Sequence, residues 1–193
     1  MKSIIPPDKM KDYWEERASQ DALFWTWSNK VSEEEYFKSG VNWVEEHVKK
    51  YFPINKGKCI EIGCGVGRVT IALASYFEQV VGIDISERMI RKAFAYKEKF
   101  KVNNVEYINN TSLLSHAMNV DFIFTLTVFQ HMYQEIWWKY IVDGYEILNA
   151  GGRFYVHALF DLVDDSIKKA EEIGYKLIAK EQEGDCWILI LEK

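Results

Sequence analysis

Long apolar runs, clustered bases and paired cysteines are all missing from this sequence. No apolar run reaches about 18 residues, so no membrane-spanning helix is expected. The start, Met1-Lys2-Ser3-Ile4-Ile5-Pro6-Pro7, lacks the apolar core of a secretion signal. The three cysteines, Cys59, Cys64 and Cys186, have neither metal-ligand nor disulfide spacing. Reduced thiols, a cytoplasmic protein and no metal site are therefore expected. Lysine and arginine total 24 against 29 acidic residues, a net charge of -5. The bases are scattered, and Lys49, Lys50, Lys56 and Lys58 read as a solvated helix end and loop. No basic stripe for nucleic acid is present, and a small-molecule partner is expected instead. Nothing fixes the oligomeric state.

What the chain does have is 193 residues, 48% of them hydrophobic, enough for one domain with a real core. Its most informative stretch is Cys59-Ile60-Glu61-Ile62-Gly63-Cys64-Gly65-Val66-Gly67-Arg68. Apolar residues run into an acid and then into glycines at every second position. Twenty-one residues after Gly63, the run Val80-Val81-Gly82-Ile83 ends in Asp84. A glycine turn between strand and helix lets a ligand lie on the backbone, and an acid near that distance reaches ribose hydroxyls. An adenosine-bearing cofactor follows. The nicotinamide pattern G-x-G-x-x-G would need a glycine at position 68, where Arg68 stands. Cys64 inside the turn reads as a small residue that fits, not as a nucleophile.

Strands and helices alternate through the rest. Asp8 is a candidate N-cap for a first helix carrying Tyr13, Trp14 and Arg17, and a loop is expected over 21–30. Ser32 and Glu35 form a capping box for a helix that turns Val41, Val44, Val48 and Tyr51 inward until Pro53 stops it. Strands are expected at 58–62, 79–83, 105–108, 121–126, 153–158, 175–180 and 185–191. Helices are expected at 67–77, 86–100, 133–148 and 163–173, and between 111 and 119 a single turn at most. Alternation implies a parallel sheet with right-handed crossovers, and Glu183-Gly184 implies a closing antiparallel hairpin.

The E-x-G-x-G-x-G form at Glu61 to Gly67 resembles motif I of the class I S-adenosylmethionine-dependent methyltransferases, of the small-molecule type. Val81-Gly82-Ile83-Asp84-Ile85-Ser86 is similar to that family's second motif. Asp121-Phe122-Ile123 with Val128-Phe129-Gln130-His131-Met132 is similar to its fourth-strand region, and Leu148-Asn149-Ala150-Gly151-Gly152-Arg153 to the turn before its fifth strand. Tyr13-Trp14-Glu15-Glu16-Arg17-Ala18 resembles the N-terminal lid of one bacterial branch. The resemblance covers roughly residues 10–160 and implies a Rossmann-like α/β fold. Its seven strands would run in the order 3-2-1-4-5-7-6 with strand seven antiparallel. One domain is expected over 1–193, with a helical lid at 1–40 and an S-adenosylmethionine-binding core at 41–193.

The resemblance also implies roles. Asp84, followed by Ile85, would hold the ribose, and Glu61 the turn and the methionine amino group. Gly63, Cys64, Gly65 and Gly67 would give backbone approach, and Thr125 and Leu126 would face the methionine moiety. The family's acid for the adenine amino group is absent, and Asn109, Asn110 or Thr111 stands there. Arg68 either reaches the cofactor carboxylate or lies on the surface. His131 is either a general base or a loop anchor, and His157 is a second residue able to approach the pocket. His47 and His116 read as surface residues, and Asp121 as structural. Tyr13, Trp14, Trp25 and Trp27 are lid and substrate candidates. The expected reaction is methyl transfer to oxygen or nitrogen of a small molecule, yielding S-adenosylhomocysteine. A non-catalytic module binding either cofactor form, or a nicotinamide-dependent reductase, are the competing readings.

Overall fold

Seven strands hydrogen-bond side by side in the order β3-β2-β1-β4-β5-β7-β6. The computed structural model describes residues 4–27, 31–113, 119–158 and 163–193. The strands are β1 (Lys58–Ile62), β2 (Gln79–Asp84), β3 (Val105–Asn109), β4 (Val120–Leu126), β5 (Leu148–Ala158), β6 (Lys176–Glu183) and β7 (Cys186–Glu192). Pairing is parallel from β3 across to β5, and β7 runs antiparallel between β5 and β6. The helices are α1 (Pro7–Trp27), α2 (Glu33–Trp43), α3 (Arg68–Leu73), α4 (Glu87–Lys99), α5 (Gln134–Ile147) and α6 (Val163–Ile173).

The expected order and strand sense are those observed. β1 and β4 are covered on both faces, which is why they read as unbroken apolar runs instead of alternating ones. One core lies between the sheet and α5–α6, around Ile123, Phe129, Ile141 and Phe154. The other lies on the opposite face, around Val44, Val48, Leu73, Phe122 and Tyr155. The hairpin closes through Gly184, at φ 57, between the paired residues Glu183 and Cys186. Asp121 is structural: its Oδ2 accepts the Gly57 and Lys58 N–H groups at 2.9 and 3.0 Å, and its Oδ1 accepts Asn149 Nδ2 at 2.7 Å.

Several local expectations change. Pro7 takes the first position of α1, leaving Asp8 inside the first turn. The segment expected as a loop from Asp21 is helical as far as Trp27. Asp21 itself leaves helical geometry (φ -152, ψ 96) and its Oδ1 accepts Phe24 N at 3.1 Å, capping the helical piece that follows. The capping box of Ser32 and Glu35 is present. After α2 a π-helical turn over Val44–Val48 shifts the phase, so Val41 is 47% exposed while Tyr36, Phe37, Val44 and Val48 go inward. α3 is shorter than expected. Beyond Leu73 the backbone tightens, with Asn104 Nδ2 donating to Ala74 O and Phe77 O at 2.8 and 2.9 Å. β5 begins early, at Leu148, because Gly151 and Gly152 bond to Lys193. The expectation for 111–119 falls partly on residues 114–118, outside the described residues, as does His116.

Candidate active site

The carboxyl ends of β1, β2 and β4 open into a cleft of about 1020 Å³, open solvent at its mouth included. Ligands bind at this edge of open α/β sheets. The turn after β1 forms the floor. Gly63 N and Cys64 N donate to Ile83 O at 2.8 and 3.0 Å, and Gly65 N donates to Asp84 Oδ2 at 2.9 Å. Gly63 has φ 70 and Gly65 φ 55, and a Cβ would stand 2.4 Å from Val128 Cγ2 at the first and 2.8 Å from Thr26 Cγ2 at the second. Only glycine fits there, for conformation and for space.

Two acids face this floor from the strand ends. Asp84 spends one lone pair of each oxygen on the backbone, on Gly65 N and on Ser86 N (2.8 Å). A carboxylate has about four such sites, so both oxygens can accept further hydrogen bonds. Burial raises the Asp84 carboxyl to about 6. Glu61 accepts Thr70 Oγ1 at 2.5 Å, and burial raises it to about 8. Arg68 is buried, not a surface residue. Its Nη1 donates to Ser39 Oγ at 3.1 Å, and its guanidinium lies 5.6 Å from the Tyr36 ring centre. α2 can lie this close because a Cβ on Gly40 would stand 2.4 Å from Arg68 O. Tyr36 shares a 2.5 Å hydrogen bond with Thr26, and burial pushes its phenol up to about 12.

α1 forms the cover. Met10, Trp14, Trp25 and Thr26 line the cleft. Glu15 accepts the Glu87 and Arg88 N–H groups at the start of α4 and pairs with Arg88 Nε at 3.2 Å. Lys92 Nζ donates to Ala18 O at 2.7 Å, and Ile5 N donates to His131 O at 3.1 Å. The Arg17 guanidinium lies 3.3 Å from the Tyr13 ring centre and 4.4 Å from that of Trp25, bracing the two halves of the kinked helix. Trp14 meets the His131 ring edge-on, centroids 5.3 Å apart.

Of the residues singled out in the sequence, Glu61, Gly63, Cys64, Gly65, Arg68, Asp84, Ile85, Asn110, Thr111, Leu126, His131, Trp14 and Trp25 line this one cleft. The others stand apart. Gly67 is the N-cap of α3 and packs on Tyr107. Asn109 braces the end of β2, Nδ2 donating to Asp84 O and Ile85 O at 3.0 and 2.8 Å. Thr125 is fully buried within β4. Tyr13 holds Arg17 behind the cleft wall. Trp27 ends α1, and its side chain lies outside the described residues. His157 points to the opposite face of the sheet, where Nε2 lies 2.9 Å from Glu183 Oε2 and the ring meets Trp43. His47 is partly exposed, its ring resting against Trp43. Met10, Thr26, Tyr36, Met132 and Tyr140 line the cleft without having been expected there. So does Thr127, whose φ of 57 is rare for a β-branched residue. No cluster of His, Cys, Asp and Glu able to hold a metal exists among the described residues. No helix among them is long and apolar enough to cross a membrane.

Residues 59–152 match a family model described as a methyltransferase domain. A ubiquinone biosynthesis O-methyltransferase from Leptothrix cholodnii is 34% identical over 67 residues, 35% of this chain and 27% of that one. A tRNA/tmRNA (uracil-C(5))-methyltransferase from Colwellia psychrerythraea is 38% identical over 64 residues, 33% of this chain and 18% of that one. The chain therefore spans well under half the length of either curated relative. Among solved structures, magnesium protoporphyrin IX methyltransferase from Synechocystis, with bound S-adenosylmethionine, superposes with a TM-score of 0.69. Identity there is 20%, with 97% of each chain covered. That likeness is one of fold.

Proposed function

We propose that the chain is a class I methyltransferase that moves a methyl group from S-adenosylmethionine to a small molecule. The observation that carries the reading is the pair of buried acids, Glu61 and Asp84, facing one cleft beside a glycine turn. Carboxyls raised by burial gain most from a ligand that brings positive charge and a diol, and this donor set fits such a cofactor. When bound, it supplies an electrophilic methyl on a sulfonium. Asp84 would hold the ribose, with Asn110 or Thr111 at the adenine edge. Glu61 would take the amino group and Arg68 the carboxylate. The backbone after Leu126 would border the methionine arm.

The remaining chemistry is positional. α1, the main part of a lid over 1–40, would exclude water from the transfer path above the core at 41–193. His131 would accept the proton of an acceptor still protonated at attack. We read the site as serving neither nucleic acid nor membrane, and the setting as cytoplasmic, in keeping with three unpaired cysteines. Calorimetry with S-adenosylmethionine, S-adenosylhomocysteine and NAD, followed by a screen for S-adenosylhomocysteine release, tests the reading. Binding of the first two with turnover of an acceptor is expected. Binding without turnover on any acceptor would make the protein a cofactor-binding module, and binding of NAD alone would make it a reductase.

A further inference from the structure

The two ends of the cleft differ in charge, and the difference speaks to the acceptor. Glu61, Arg68 and Asp84 are the only carboxylate and guanidinium side chains among the described lining residues, and no lysine joins them. All three belong to the floor and to the α2–α3 end, where Ser39 and Tyr36 hold Arg68. The wall below the first half of α1 is made of Met10, Trp14, His131, Met132 and Tyr140. Met10 and Trp14 are one helical turn apart on α1 and so share a face. Trp14 rests on the His131 ring, and Tyr140 stacks with Phe129 of the same post-β4 turn at 5.8 Å. Two thioethers, an indole, a phenol and an imidazole make a flat, polarizable wall with one proton acceptor and no fixed charge.

We propose that the acceptor is an uncharged, planar aromatic carrying a hydroxyl, seated between Trp14 and Tyr140 with that hydroxyl toward His131. This rests on the methyltransferase reading of the same cleft. A carboxylate or phosphate ester would lose its hydration at this wall with no cation to receive it. An ammonium would find aromatic faces, but the Asp84 charge that reaches Tyr140 would be taken up by the ribose in the loaded site, and while protonated an ammonium has no lone pair with which to attack. An aromatic hydroxyl enters neutral and sheds its proton far more readily than an aliphatic one. Its oxygen bonds to the methyl carbon as the carbon–sulfur bond breaks. The bonding pair stays on sulfur, and the hydroxyl proton passes to the His131 imidazole and then to solvent.

The test uses the full chain saturated with S-adenosylhomocysteine and three probes of one shape: 2-naphthol, 2-naphthoate and 2-naphthylmethylammonium. Expected are binding of 2-naphthol at least about tenfold tighter than either ion, and conversion to 2-methoxynaphthalene once S-adenosylmethionine is supplied. Trp14→Ala should weaken 2-naphthol binding by about tenfold while S-adenosylhomocysteine affinity holds. Trp14→Phe should restore most of it. Either ion binding as well as the naphthol, or none of the three binding, overturns the acceptor class and leaves the cofactor reading standing. Failure of S-adenosylhomocysteine itself to bind removes both.

Discussion

The floor of the cleft and its cover are built by opposite means. The floor is mostly backbone: glycine N–H groups and strand ends fixed by the register of β1, β2 and β4, with two carboxyls set among them. The cover is mostly side chain: a kinked helix whose Trp14 and Trp25 face inward, held to α4 by Glu15 and Ala18 and, through the preceding Ile5, to the His131 turn. A register-fixed floor suits a ligand that is always the same. A side-chain cover can be re-cut by substitution without disturbing the sheet. The floor should thus govern affinity for the cofactor, and the cover and the His131 turn should govern turnover.

The sharpest break in that division comes from His131→Ala. Acting as the base, His131 should lower the rate by roughly 10²–10⁴ when lost, with cofactor affinity unchanged by calorimetry. A normal rate with a lowered melting temperature would assign the side chain to anchoring Trp14 instead. Next in size is Asp84→Ala. Hydrogen bonds to a charged group are worth about 1.5–3 kcal/mol each, so S-adenosylmethionine should bind at least about tenfold more weakly. An unchanged affinity would remove Asp84 from the floor.

The floor's acids also set a pH dependence. Their folded values, about 6 for Asp84 and about 8 for Glu61, lie above the ordinary 3.8 and 4.5. Their contribution to stability is therefore full at low pH and lost as pH rises through 6 and then 8. Between about pH 5 and pH 8 the melting temperature of the ligand-free protein should fall relative to that of Glu61→Gln. Cofactor affinity should rise over the same range as both carboxylates ionise, with proton release visible as a buffer-dependent binding enthalpy. A wild type and variant that track each other across this window would refute the assignment. The smallest effect is expected at the edge between floor and cover. Thr127→Gly relieves a left-handed φ and should stabilise by about 1 kcal/mol, read by chemical denaturation. A loss of stability there would show that the hydroxyl's bond to Leu126 O outweighs the strain.

The floor was largely legible in the sequence and the cover was not, for physical reasons. A strand covered on both faces must be a short apolar run, and a turn at positive φ under close packing must be glycine. Cys59 to Gly67 and the run ending in Asp84 could hardly be read otherwise. α1 has no such constraint. Asp21 leaves helical geometry midway, and the stretch after it looked like a loop. The π turn after α2 hid Val41's exposure in the same way. His157 shows a different limit: alternation says that neighbouring strand residues face opposite sides, not which side holds the ligand. Met10, Met132 and Tyr140 carry no mark that separates a cleft wall from ordinary core.

The anchors of α1 bear on how the chain is made. This helix leaves the ribosome before anything it docks on. Arg88 and Lys92 follow some seventy residues later, and the His131 turn that receives Ile5 and Trp14 more than a hundred later. Until then Met10, Trp14 and Trp25 have no surface to lie against, and the nascent chain carries them bare. Closing the cleft is a late event in synthesis, and a chain halted ahead of His131 keeps that aromatic face open to chaperones or to its own kind.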